Sequence, residues 1–196
     1  MTIVSKTRRL AGTAMLAAVS TVLSFLAFPV PLMPSFIKLD FAELPALIAA
    51  FAYGPISGVA VCLVKNLVSL MKTSSGGIGT LCNFLLGVAF VVPAGIIYLK
   101  KRTRGGALIG ALAGTLFMAL LSLPFNYFIV YPMYTAFMPM EAILGMYQAL
   151  NPKVQTLWDA LLWFNAPFTL VKGLCSVAIA FLIYKPLSPF LKGSGK

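Results

Sequence analysis

Long apolar runs alternate with short polar clusters along the whole chain. This pattern predicts a bundle of membrane helices. The runs place helices at approximately 9–28, 44–53, 56–72, 79–99, 105–128 and 158–185, within a single membrane domain over 1–196. An external loop over 29–43 and an external lid or interfacial segment over 131–157 join them; 141–150 can form a short helix but cannot span. The apolar stretch after Glu43 is too long and too broken for one helix, and Gly54-Pro55 divides it. The resulting second helix is about 15 Å long at 1.5 Å per residue, too short to cross about 30 Å of hydrocarbon unaided. Protein must therefore cover its ends, because irregular backbone at membrane depth is tolerated only there or beside a watery cavity. Short, proline-interrupted spans point to a binding site.

Charge supports the same division. Lys6, Arg8 and Arg9 precede the first helix, and Lys100, Lys101, Arg102 and Arg104 form the densest basic cluster. Both clusters belong on the cytoplasmic side, so an even number of crossings must separate them. Splitting at Gly54-Pro55 gives four, where an unbroken span would give three. The expected fold is an all-α integral membrane protein of six transmembrane helices, one short, with cytoplasmic N- and C-termini. The four acids then fall in the outer half, and Lys65 and Lys72 snorkel near the outer end of the third helix. Thr73 to Gly79 forms an external turn, and Pro93 is a candidate kink in the fourth helix.

Composition agrees with the membrane class: 60% of residues are hydrophobic, 10% are charged, and the mean hydropathy is +0.97. The net charge of +11 is not a nucleic-acid signal, because the basic residues sit in short clusters between apolar runs. Cys62, Cys82 and Cys175 are isolated, with no CxxC, and there is no histidine. Neither a disulfide framework nor a metal site is indicated. The glycines of the external turn lack the Lys-Ser/Thr of a P-loop. An enzyme would need nucleophiles, paired acids or metal ligands inside the bundle, and the four acids are scattered. No cofactor is expected, and any use of ATP must come from partners.

The stretch 36–47 is the most polar in the first half of the chain. Lys38, Asp40 and Glu43 cannot lie cheaply against lipid. It reads either as a loop folded over the outer mouth of the bundle or as an ordinary connector. Asn83, Asn126, Asn165 and Lys172 fall at one level in the outer halves of the fourth to sixth helices. Asn165 and Lys172 are seven apart and share a helical face, with Thr169 between them. These groups form either a packing network or a ligand site, and their number at one depth below a polar loop favours the site. Their donors and acceptors fit a neutral heterocycle with carbonyl and imide edges. Phe125, Tyr127, Phe128, Tyr131, Tyr134, Trp158, Trp163 and Phe164 are candidate flat walls. Ala14 and Ala18, four apart in the first helix, permit close approach of another helix, in this bundle or in a separate partner.

Several pieces together resemble a known family: Lys38-Leu-Asp-Phe-Ala-Glu-Leu-Pro-Ala-Leu-Ile, Phe51-Ala-Tyr-Gly-Pro, Lys65-Asn-Leu, Gly76-Gly-Ile-Gly, Asn83-Phe-Leu, Asn126-Tyr with Pro132-x-Tyr134, and Asn165-Ala-Pro-Phe-Thr-Leu-Val-Lys-Gly. The chain is similar, over nearly its whole length, to the riboflavin-binding S components of the energy-coupling-factor (ECF) vitamin transporters. The resemblance implies a multi-pass protein of a bacterial plasma membrane that captures riboflavin from outside. The site would lie between the external loop, with Leu39 and Asp40, and the outer ends of the fourth to sixth helices, with Asn83, Asn126, Tyr127, Asn165, Thr169 and Lys172. Riboflavin would be a carried ligand. The resemblance also implies docking through Ala14 and Ala18 onto a transmembrane coupling subunit, EcfT, powered by two ATPase subunits. FMN or another vitamin is the alternative ligand, with Lys172 facing a phosphate. The chain departs from relatives in having Cys82 where an acid is common and Thr169 where Asn is common.

Overall fold

The computed structural model describes residues 6–31, 33–34, 37–72 and 76–192. Part of the external turn expected over 73–79, and Lys196 at the end of the chain, lie outside them. The protein is mostly helical. Among the described residues, three helical stretches are long and apolar enough to cross a membrane: Ile78–Lys100, Arg104–Tyr134 and Leu157–Ile183.

Helix α1 (Lys6–Phe25) comes first. It begins before and ends before the expected 9–28. The loop after it is not wholly irregular. Strands β1 (Phe28–Pro29) and β2 (Lys38–Leu39) pair antiparallel, with Phe28 opposite Leu39 and Pro29 opposite Lys38. This small ribbon ties down both ends of a segment that the expected all-α fold left as loop.

Helix α2 (Glu43–Tyr53) is the centre of the molecule: every residue from Glu43 to Phe51 is buried. It packs against α1, against α3 (Pro55–Ser69), against α4 (Ile78–Lys100) and against α9 (Ala166–Lys192). Its ends are therefore sheathed by protein. Gly54 ends it at a φ of 100°, a conformation open to glycine, and Pro55 starts α3 at a position where no N–H is needed. Leu47, Ile48, Val61, Phe90, Val91 and Ala94 fill the core around it.

Helix α5 (Arg104–Phe125) is capped by Thr103, whose side chain accepts the Gly106 N–H at 3.0 Å. Its buried face is a row of small residues, Gly106, Ala107, Gly110, Ala111, Gly114 and Thr115, and it lies directly on α4. The helix does not stop at 128. It continues through a π turn, Asn126–Val130, into α6 (Tyr131–Tyr134), so the expected lid segment begins after Tyr134. A second π turn, Leu161–Asn165, joins α8 (Leu157–Ala160) to α9. In both cases a proline stands two residues past the turn, Pro132 and Pro167. A proline ring in an α-helix clashes with the carbonyl four residues back. The extra residue of a π turn relieves that clash. Between the two long helices, α7 (Met140–Gln148) and the following turn pack inward through Ile143, Tyr147 and Val154, onto Tyr131, Ala160 and Leu161.

Candidate functional site

Among the described residues a cavity of about 280 Å³ opens at the level of the two π turns. Asp40 comes to it from the loop, Glu43 from α2, Lys65 and Asn66 from α3, Cys82 and Asn83 from α4, Asn126 from the end of α5, and Asn165, Phe168, Thr169 and Lys172 from the α8–α9 rod.

At its base lie four buried charges. Lys65 donates to Glu43 Oε1 at 3.0 Å, and Lys172 donates to Asp40 Oδ2 at 3.3 Å. Lys172 also stands 3.1 Å from Glu43 Oε2, an ion contact without hydrogen-bond geometry. Two acids thus face two lysines, and the group is neutral. Each member alone would be costly to bury. Together they are compensated. Burial raises the pKa of the Asp40 carboxyl and the Glu43 charge adds to the rise, while Lys172 opposes it. The Ala42 N–H donates to Asp40 Oδ1 at 2.9 Å, and Ser20 donates to the Ala42 carbonyl at 2.5 Å. These bonds fix the loop to α1 just before α2 begins.

On the wall sits a neutral network. Asn165 Nδ2 donates to the Tyr131 hydroxyl at 3.2 Å, Tyr147 donates to Asn165 Oδ1 at 2.9 Å, and the two tyrosine hydroxyls are bonded to each other. Burial raises the pKa of Tyr147, which keeps its proton in place. Asn126 Nδ2 donates to the Ser122 carbonyl at 2.6 Å, and its Oδ1 has the Cys82 thiol 3.8 Å away, a weak donor. That amide oxygen can accept a stronger donor from a ligand. Cys82 therefore serves Asn126 where an acid was expected from the resemblance. No cluster able to hold a metal ion occurs among the described residues.

Of the residues named from sequence, Asp40, Asn83, Asn126, Asn165, Thr169 and Lys172 line this cavity, and Leu39 and Tyr127 do not. The reasons are geometric. Lys38 and Asp40 face the cavity, so Leu39 between them turns to the other face of the strand. Tyr127 follows Asn126 by one position and points away, where it packs edge-on against Phe128 and Trp158. Phe128, Trp158 and Trp163 are likewise exposed, whereas Tyr131 and Tyr134, also expected as walls, line the cavity together with Phe168. Lys65 was expected to snorkel outward. It is 2% exposed and turns inward because Glu43 stands opposite. Lys172 is not an uncommitted cation for a phosphate, since two carboxylates already share it. Glu43, Lys65 and Asn66 also line the cavity and were not named from sequence. For Glu43 and Lys65 the available signal was charge matching, since a lysine inside an apolar run requires an acid within reach.

Ala14 and Ala18 lie on the exposed face of α1, together with Met15, Val19 and Val22. Its inner face carries Gly12, Leu16, Ala17 and Ser20, so the two alanines are not used for packing within this chain.

The family model described as "ECF transporter, substrate-specific component" matches residues 8–184. The riboflavin transporter RibU of Staphylococcus aureus (strain TCH60) is 33% identical, covering 94% of this chain and 93% of that protein. The riboflavin transporter FmnP of Bacillus subtilis (strain 168) is 30% identical, covering 95% of each. A solved structure of the S component of a bacterial ECF transporter superposes with a TM-score of 0.77 at 31% identity, covering 96% of this chain and 99% of that one.

Proposed function

The chain belongs to the substrate-specific components of ECF transporters, and from that premise we propose that it is the riboflavin-capturing subunit of a vitamin uptake system. The observation that carries this reading is the cavity. Its base is charge-balanced, its walls offer the amides of Asn83, Asn126 and Asn165, and Tyr131, Tyr134 and Phe168 supply flat apolar surface. A flat, neutral heterocycle edged with carbonyl and imide groups matches each of these features. The pairing of both buried lysines favours riboflavin over its phosphorylated form, FMN.

In this reading the protein crosses a bacterial plasma membrane six times, with both termini in the cytoplasm and the cavity open to the outside. The basic clusters at Lys6–Arg9 and Lys100–Arg104 support that orientation. The subunit captures its ligand and performs no chemistry, and two partner ATPases drive a coupling subunit, EcfT, that docks on the Ala14–Ala18 face. Replacing both alanines with leucine holds a partner helix away. Uptake into cells is then lost while binding by the purified protein is unchanged. Equal loss of both would assign the alanines to the protein's own fold.

Titration of riboflavin fluorescence with the purified protein in detergent tests the ligand. Saturable quenching at one flavin per chain is expected, with FMN competing more weakly. Folded protein that leaves riboflavin fluorescence unchanged would overturn the reading.

A further inference from the structure

We propose that Tyr147, which does not line the cavity, is a positioning residue for ligand recognition: its hydroxyl fixes which edge of the Asn165 amide faces the ligand. The inference rests on the reading of the cavity as a riboflavin site. Asn165, Tyr131 and Tyr147 form a closed ring of hydrogen bonds. An Asn165 N–H goes to the Tyr131 oxygen, the Tyr131 proton to the Tyr147 oxygen, and the Tyr147 proton to Asn165 Oδ1. A carboxamide carries two N–H bonds, and the ring uses one. The second remains for the cavity that Asn165 lines, so this residue presents a donor and selects a ligand acceptor, such as a flavin carbonyl or ring nitrogen.

Tyr147 can hold the amide because it cannot itself move. It is 0% exposed, enclosed by Ile143, Val154 and Leu161, and its ring meets that of Phe164 at 5.2 Å between centroids. It reaches the site from α7, a helix that sequence places in an external connector. The segment between α6 and α8 therefore acts on recognition without touching the ligand. Without the Tyr147 hydroxyl, Oδ1 keeps only the long contact from the Tyr131 hydroxyl, at 3.5 Å. The amide is then free to turn its oxygen toward a ligand acceptor, which opposes binding.

The test is riboflavin titration of Tyr147→Phe, which keeps the ring and removes the hydroxyl. A loss of roughly tenfold in affinity is expected, the scale of one buried hydrogen bond. The melting temperature of the ligand-free protein should fall by several degrees, because buried bonds are lost there too, so affinity is read at a temperature where the variant is folded. In an Asn165→Ala background the same substitution should have no further effect on affinity, because the group it positions is gone. Wild-type affinity in Tyr147→Phe overturns the proposal, as does an equal loss with and without the Asn165 amide. Asn165→Asp supplies a second route if Tyr147→Phe does not fold. It still accepts from Tyr147 but has no N–H, and it should lose at least about tenfold; unchanged affinity overturns the proposal. A wild-type titration run alongside separates the two levels, since absence of binding there removes the riboflavin reading itself.

Discussion

The two ends of the α4–α5 pair are built on opposite rules. Toward Lys100 and Arg104 the helices touch backbone to backbone. A Cβ added at Gly114 would stand 2.3 Å from the Phe90 carbonyl oxygen, and one at Gly110 would stand 2.7 Å from that of Ala94. At the other end the same pair borders a cavity. Asn126 begins a π turn, polar side chains replace glycines, and a cavity of about 280 Å³ remains. Small residues let helices close, driven by packing. At the other end a π turn and polar side chains border open space instead. The difference shows how one helix pair serves both as a rigid foundation and as the wall of a cavity.

The comparison breaks most severely at the closed end. Gly114→Val places side-chain atoms where the Phe90 carbonyl lies, and no flexible group there can give way. It should destabilise the protein by about 3 kcal/mol or more, seen as loss of a monodisperse peak or a collapsed melting temperature. At the open end, Lys172→Met leaves two buried acids facing one lysine. Breaking such a pair costs about 3–5 kcal/mol, so a large fall in melting temperature is expected. Adding Asp40→Asn leaves one acid and one lysine and should restore part of it; no recovery would mean that charge balance is not what holds the base of the cavity. The smallest effect on the fold belongs to Asn126→Ala. It removes an amide whose oxygen has only a thiol beside it, so stability should change little. Riboflavin affinity should fall by roughly tenfold to a hundredfold, from about 1–3 kcal/mol of lost hydrogen bonding.

Much of the outline was legible because breakers and charges are local signals. Gly54-Pro55 marks the end of α2 in sequence as plainly as in structure, and Asn126, Asn165 and Lys172 stood out as polar groups in apolar runs. What stayed hidden depends on partners distant along the chain. Lys65 and Glu43 are 22 residues apart, and Lys172 and Asp40 are 132 apart, so no spacing rule pairs them. The inward turn of Tyr147 was hidden for the same reason, because a tyrosine in a short connector helix reads as an interfacial anchor. Leu39 and Tyr127 lie outside the cavity for a different reason. Each is a neighbour of a cavity residue, and strand alternation or helix rotation turns it away. The π turns left only a proline as their trace, which reads equally well as a kink or a helix end.

In the proposed function the flavin occupies the cavity at the level of the π turns. A structure determined with bound riboflavin tests it most directly. The account predicts one flavin within the cavity, its polar edge against Asn126 and Asn165 and its ring plane against the Tyr131, Tyr134 and Phe168 walls. The Lys65–Glu43 pair beneath it should remain intact. A flavin bound elsewhere on the protein, with this cavity unfilled, would contradict the account.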